Sequence, residues 1–190
     1  ATITNGKITC TVSENGELQF CNQDGEVLLE EYSRIRDTQA EGRNRFASAL
    51  EIVPRTFQPR QSTDHYRLTV RFESNDGEKL YGMGQYQQPF LDLKGCVIEL
   101  AHRNSQASVP FVLSDRGYGM LWNNPAIGHA TFGKNVTEWV AESTKQMDYW
   151  ITAGDTPAQI EEAYADATGK VPMMPEYGMG FWQCKLRYQT

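Results

Sequence analysis

The chain has 190 residues, 39% of them hydrophobic and 11% aromatic, a composition typical of a globular protein with an apolar core. Its net charge is −6 and its Lys and Arg residues form no runs, so the sequence excludes the basic surface that nucleic-acid binding requires. It has no stretch of ~18 or more uncharged apolar residues, so we expect no membrane-spanning helix and no membrane partner.

Short strands separated by turns dominate residues 1–154, which we predict to form an antiparallel β-sandwich. The clearest strand is HYRLTVRFES, in which apolar and polar residues alternate, as in a strand with one buried face. Its apolar set is Tyr66, Leu68, Val70 and Phe72. Turn signals recur at Asn5-Gly6, Asn15-Gly16, Asp24-Gly25, Asp76-Gly77, Arg116-Gly117 and Gly133-Lys134.

The first hairpin, TCTVSENGELQFC, carries two of the four cysteines, Cys10 and Cys21. A two-residue turn would place them opposite each other, within reach of a disulfide. A three-residue loop with Gly16 left-handed instead pairs Cys10 with Phe20, which keeps the apolar faces together. We favour the second register and therefore free thiols, which favour a reducing, cytoplasmic compartment. No Cys-x-x-Cys pair occurs, and we predict neither a metal nor a cofactor.

A helix is predicted within residues 155–172, in the stretch GDTPAQIEEAYADATGKVP. Thr156 is a natural N-cap, Pro157 fits the first helical position, and Gln159 completes a capping box. Apolar residues at i, i+3, i+4 and i+7 give the helix one apolar face. Gly169 suits the left-handed position that closes a helix. We interpret this helix as a bridge from the sandwich to the chain's last segment.

The stretch EKLYGMGQYQQPFLDLKG allows two interpretations. Its amides at Gln85, Gln87 and Gln88, beside aromatic rings, are groups that bind sugar hydroxyls and sugar faces. Alternatively, Gly82 and Gly84 mark a tight β-bulge and the glutamines are merely solvated. The residues alone leave both open.

Several separate motifs, in order, resemble glycoside hydrolase family 31, the α-glucosidase and α-xylosidase family, over about residues 78–190. They are LYGMGQYQQ with LDLKG, then HRNSQASVPFVLSDRGYGMLWNNP, then DYWITAGDTPAQIEEAYADATGKVPMMPEYGMGFWQCKLRY. The last resembles the family's crossing from sandwich to barrel, with an aromatic strand, a helix that starts at GDTP, a P-x-x-P hinge and a first barrel strand.

The resemblance implies an all-β, galactose-mutarotase-like supersandwich over residues 1–154, a bridging helix and linker over 155–172, and the first strand of a truncated (β/α)8 barrel over 173–190. It implies the N-terminal fragment of a retaining α-glycosidase acting on α-linked oligosaccharides. Family members use two carboxylates on later barrel strands. Neither motif is present here, so we expect no catalytic residue in this chain and no activity from it alone.

The resemblance also implies where the chain touches sugar. In the family, a sandwich loop reaches over the barrel mouth, and the matching residues are Arg103 and Asn104 in HRNSQAS. Cys184 and Leu186, just past the barrel strand, occupy positions that face the sugar in relatives. Phe181 and Trp182 are interpreted as core residues.

The alternative function is a non-catalytic carbohydrate-binding sandwich. It would need an exposed aromatic platform, for which the candidates are Tyr86, Trp122, Trp139 and Trp150. The strand predicted within 176–190 would expose unpaired backbone and apolar side chains without its barrel neighbours. We therefore expect residues 176–190 to be disordered or to dock on another surface, such as a neighbouring copy in a homo-oligomer. The other expected partners are an oligosaccharide substrate and the rest of the chain's own catalytic barrel.

Overall fold

The computed structural model describes residues 1–34 and 52–183, which form thirteen β-strands, one α-helix and one 3-10 helix. The strands are β1 (Thr2–Asn5), β2 (Ile8–Val12), β3 (Leu18–Cys21), β4 (Val27–Glu30), β5 (Arg55–Pro59), β6 (Tyr66–Glu73), β7 (Leu80–Gln85), β8 (Val97–Leu100), β9 (Ala107–Ser114), β10 (Tyr118–Trp122), β11 (Gly128–Phe132), β12 (Val136–Thr144) and β13 (Tyr149–Ala153). The helix, α1, spans Pro157–Thr168, and the 3-10 helix spans Glu176–Met179.

The strands pair antiparallel in three sheets, which confirms the predicted sandwich class. A five-stranded sheet has the order β5-β6-β12-β11-β8, and a four-stranded sheet has the order β13-β10-β9-β7. A second four-stranded sheet, β1-β2-β3-β4, joins the five-stranded one where the Tyr32 amide donates to the Arg71 carbonyl (2.9 Å).

The core lies between the two larger sheets and is centred on two tryptophans. Trp122 of β10 and Trp139 of β12 are fully buried, and their rings stack at a centroid distance of 5.8 Å. Phe132 of β11 packs edge-on against Trp139 at 5.6 Å. The predicted alternation in β6 is confirmed for Leu68, Val70 and Phe72, which are fully buried, but Tyr66 at the start of the strand is exposed and Thr69 is buried.

The first hairpin has the predicted register. Cys10 pairs with Phe20, and Gly16 takes a positive φ of 82° in the loop. Cys21 pairs with Thr9 instead of Cys10, so the two sulfurs are on different cross-strand pairs. Cys10, Cys21 and Cys96 are free thiols.

The predicted helix is confirmed with its start and stop signals. The Thr156 hydroxyl accepts from the Gln159 amide (3.3 Å), and the Gln159 side chain accepts from the Asp155 amide (2.9 Å). The return bond of the capping box therefore reaches one residue earlier than expected. Gly169 ends the helix at φ 115°, a backbone conformation that favours glycine.

Two glycines make room for the helix on the outer face of the β13-β10-β9-β7 sheet. Ile160 is the buried residue of α1. A Cβ on Gly119 would lie 2.6 Å from Ile160 Cγ2, and one on Gly154 would lie 2.9 Å from Ile160 Cγ1. Beside this contact Tyr164 stacks on Phe111, with ring centroids 4.2 Å apart. The helix therefore docks through one aliphatic residue and one aromatic pair.

The segment after the helix forms no strand within the described residues. Residues 176–179 form the 3-10 helix, and no strand pairing occurs between residues 173 and 183. Phe181 is 89% exposed and Trp182 74% exposed, so their interpretation as core residues is wrong for this structure. A strand needs backbone partners beside it, and none of the described strands lies there. The predicted boundaries 1–154, 155–172 and 173–190 stay predictions, and residues 184–190 lie outside the described ranges.

Within the described residues, no helix is long and apolar enough to span a membrane.

We predict that Gly119→Ala destabilises the protein by about 1–3 kcal/mol, because the added methyl group overpacks the contact between Ile160 and Phe111. Thermal unfolding followed by circular dichroism measures this. Gly180→Ala is the matched control, since its Cβ would meet its nearest neighbour at an ordinary 3.8 Å. Equal stability of the two variants would contradict the docking described here.

Candidate functional site

The predicted sugar-contacting residues lie in a loop that joins the two large sheets. Residues 101–106 connect β8, an edge strand of the five-stranded sheet, to β9 of the four-stranded sheet. Four residues of it form a tight turn in which the Gln106 amide donates to the Arg103 carbonyl (3.1 Å). Ser105 has a φ of 68°, as the third residue of a type II turn requires. The turn raises Arg103 and Asn104 to the surface.

Arg103 is exposed but not free. Its Nε donates to Glu99 Oε2 (3.0 Å) and its Nη2 to Glu99 Oε1 (2.6 Å), a bidentate pair. The hydrogen bond to Glu99 raises the pKa of Arg103 above its ordinary value. Both side chains keep more than half of their surface exposed. Guanidinium N–H groups that remain exposed can bind a further neutral acceptor.

Asn104 is exposed and makes no side-chain hydrogen bond to any residue that the structure describes. Its amide therefore offers two donors and one acceptor to a ligand. The loop contains no carboxylate, and its polar side chains can bind a hydroxyl-rich ligand by hydrogen bonds.

The base of the loop is tied by further hydrogen bonds. The Tyr86 hydroxyl lies 2.8 Å from the Glu99 carbonyl oxygen and 2.8 Å from Ser108 Oγ. His102 Nδ1 accepts from the Ser108 amide (3.3 Å). Sequence reasoning missed the roles of Glu99 and Ser108, since no local pattern predicts pairing across a loop.

The four predicted site residues therefore fall into two groups. Arg103 and Asn104 are adjacent on one exposed turn. Cys184 and Leu186 lie outside the described residues. That these four residues bind substrate stays a prediction.

The glycines of LYGMGQ lie at an irregularity in the pairing of β7 with β9, in line with the second of the two interpretations. The register between β7 and β9 shifts between Gly82 and Gly84, and Met83 between them is fully buried at φ 68°. A Cβ on Gly84 would lie 2.2 Å from the Ala107 carbonyl oxygen. The close approach of β9 therefore explains the glycine, and Gln85 and Gln87 are exposed.

The proposed aromatic platform is not found among its candidates. Trp122 and Trp139 are fully buried in the core, and Tyr86 and Trp150 are only partly exposed.

A polar cleft of about 250 Å³ lies at the other end of β9, between turns that include Lys7, Asp24 and Arg116. Eight residues of β9 separate it from loop 101–106, a distance of roughly 26 Å at ~3.3 Å per residue. No cluster of His, Cys, Asp or Glu suited to a metal occurs in the described ranges.

Comparison with known proteins gives a consistent result. Residues 1–130 match the model of the glycosyl hydrolase 31 N-terminal galactose mutarotase-like domain. The whole chain is 56% identical to an uncharacterised family 31 glucosidase, ORF2, of Pseudescherichia vulneris. An α-xylosidase of Saccharolobus solfataricus is 32% identical over 66% of the chain, which covers 18% of that relative's length.

A solved structure has the same fold over the whole chain. It is a family 31 α-xylosidase from a soil metagenome, complexed with xylose, with 55% identity and a TM-score of 0.89. The chain spans only about a third of the length of these two full-coverage relatives, 36% of the glucosidase and 28% of the α-xylosidase.

We predict that Arg103→Ala leaves the melting temperature within about 2 °C, because its pair with Glu99 is solvent-exposed. Arg55→Ala is the comparison variant. Arg55 Nε lies 3.1 Å from the fully buried side chain of Glu31, and removing it leaves a buried carboxylate without its cation, at a cost of about 3–5 kcal/mol. Differential scanning calorimetry of both variants measures the contrast. A similar drop in both would assign Arg103 to structure.

Proposed function

We propose that this chain, which belongs to glycoside hydrolase family 31, is the N-terminal sandwich of a retaining α-glycosidase whose preferred substrates are α-xylosides. The observation that carries the proposal is the 55% identity, over the full chain, with an α-xylosidase that binds xylose. The glucosidase relative of equal identity makes the α-glucoside the competing substrate. Measurement on both substrates decides between them.

The proposed division of labour follows from what the chain contains. Retaining glycosidases use two carboxylates about 5–5.5 Å apart, one as nucleophile and one as acid and base. Loop 101–106 has no carboxylate, and Glu99 at its base already pairs with Arg103. The chain therefore contributes binding, and the cleaving groups belong to the barrel of the whole protein.

Arg103 and Asn104 are proposed to form one wall of the substrate pocket. Their exposed donors, and the free carbonyl of Asn104, match the donors and acceptors of sugar hydroxyls. Because the pocket wall is neutral apart from the paired guanidinium, it suits an uncharged oligosaccharide. Cys184 and Leu186 are proposed to contribute the facing contacts.

The segment after the bridging helix exposes apolar side chains that a catalytic barrel could cover. Val171, Met173, Tyr177, Phe181 and Trp182 are each between 74% and 94% exposed, an apolar surface that solvent-facing segments rarely carry. We propose that the remaining barrel buries these side chains and completes a strand over residues 173–190. A second copy of the chain is the competing occupant.

In an assay of the whole protein, we expect hydrolysis of 4-nitrophenyl α-D-xyloside with kcat/KM at least tenfold above that of the α-D-glucoside, with retention of anomeric configuration. The 190-residue chain alone should release no nitrophenol above background. A whole protein that cleaves neither substrate, or a chain that cleaves one alone, contradicts the proposal.

In the whole protein, Asn104→Ala should raise KM for the xyloside about 3–10-fold, the effect of one lost hydrogen bond. The melting temperature should stay within about 2 °C, because the side chain is exposed and unbonded within the described residues. Asn135→Ala, at an exposed turn between β11 and β12, is the control and should change neither value. An unchanged KM in Asn104→Ala would remove this residue from the pocket.

A further inference from the structure

Tyr86 lies beneath loop 101–106 and is not among the four residues predicted to contact sugar. It follows β7 directly, and its ring is half-buried against the core. Its hydroxyl lies 2.8 Å from the Glu99 carbonyl oxygen, on the five-stranded sheet, and 2.8 Å from Ser108 Oγ, on the four-stranded sheet. These two residues are the flanks of loop 101–106. One hydroxyl group therefore links the strand before the loop to the strand after it.

We propose that Tyr86 is a positioning residue, whose hydroxyl clamps both ends of loop 101–106 and so fixes Arg103 and Asn104 for substrate binding. This inference rests on the proposed function for its kinetic consequence, but the clamp itself does not depend on which ligand the loop binds.

The clamp reaches Arg103 through Glu99. The backbone carbonyl of Glu99 contacts Tyr86, and the carboxylate of the same residue holds the Arg103 guanidinium in two hydrogen bonds. Among the described strands, β8 lies at the edge of its sheet and pairs with β11 alone, so its outward carbonyl groups need partners from elsewhere. Fixing Glu99 by its backbone therefore fixes the anchor of Arg103.

The clamp reaches the other side of the loop through Ser108. The Ser108 side chain contacts Tyr86, and its amide donates to His102 Nδ1 at the start of the loop (3.3 Å). A surface loop that joins two sheets is free to move with either sheet. Because the Tyr86 hydroxyl bonds to both Glu99 and Ser108, it restricts the movement of the two loop ends relative to each other.

The hydroxyl remains available as a donor over the working pH range. Burial raises the pKa of Tyr86 above its ordinary value, with the Glu99 carboxylate raising it further and the Ser108 hydrogen bond lowering it. The phenol therefore stays protonated at neutral pH and keeps its hydrogen bond to the Glu99 carbonyl.

The direct test is amide hydrogen exchange of the whole protein carrying Tyr86→Phe, which removes the hydroxyl and keeps the ring. We expect exchange in peptides covering residues 99–109 to accelerate about fivefold, the factor expected from one lost hydrogen bond. Exchange in β10 and β12 should not change. Tyr149→Phe is the matched control, because its buried hydroxyl has no hydrogen-bond partner among the described residues.

The kinetic test uses the same variants and the α-xyloside. A looser pocket wall weakens ground state and transition state alike, so Tyr86→Phe should raise KM about 3–10-fold with kcat within twofold. Ser108→Ala should have a smaller effect of the same kind. The double variant should lose less than the sum of the two, because both changes remove one network.

The outcomes distinguish a failure of the Tyr86 clamp from a failure of the proposed glycosidase function. Loop exchange in Tyr86→Phe equal to that in Tyr149→Phe overturns the clamp, and so does an acceleration spread evenly over all strands. Faster loop exchange with an unchanged KM overturns the positioning role. If the whole protein cleaves no α-glycoside, the proposed function fails, and the exchange measurement still decides the clamp.

Discussion

The contact between Trp122 and Trp139 is the constraint on which the rest of the structure depends. The two rings come from opposite sheets, are both excluded from solvent and stack at 5.8 Å. Trp122 Nε1 has no hydrogen-bond partner in the part of the chain that the structure describes, so packing rather than hydrogen bonding holds this ring. Aromatic pairs of this kind dominate core energetics, and here they set the spacing between the layers.

That spacing determines what each edge and end of the sandwich can do. With the sheets fixed face to face, β8 and β9 lie close enough for one tyrosine hydroxyl to contact both. The outer face of the β13-β10-β9-β7 sheet points away from the core, and α1 packs on part of it through Ile160. Loop 101–106 is therefore a connection between the two sheets, whereas α1 packs on the outer face of one of them. Loops held by a packed scaffold are common places for binding residues, which is consistent with the proposed role of loop 101–106.

Sequence reasoning succeeded where the signal was local. The register of the first hairpin and the caps of α1 follow from neighbours within a few residues and are confirmed, and the alternation in β6 is confirmed for Leu68, Val70 and Phe72. It failed where burial depends on distant partners. Phe181 and Trp182 are large apolar residues of the kind found in cores, but they are exposed here because no described element covers them. Trp122 and Trp139, which the alternative function would have needed as an exposed platform, are buried in the core, the more common place for tryptophan.

The candidate site residues come from family resemblance rather than from a local signal, and their role stays a prediction. Arg103 and Asn104 were named from family resemblance, and no property of HRNSQAS alone predicts their role. The network beneath them joins Tyr86, Glu99 and Ser108, which are brought together only by the folding of three strands. The sequence left open whether Gly82 and Gly84 serve packing or ligand binding, and the close approach of β9 at the irregular pairing explains them by packing.

Loop 101–106 is proposed to form part of a sugar pocket that the rest of the protein completes. The most direct test is a crystal structure of the whole protein with an α-xyloside bound at the catalytic carboxylates. We expect a side-chain atom of Arg103 or Asn104 within about 3.5 Å of a sugar hydroxyl, directly or through one water. A bound sugar that no residue of loop 101–106 approaches would contradict it.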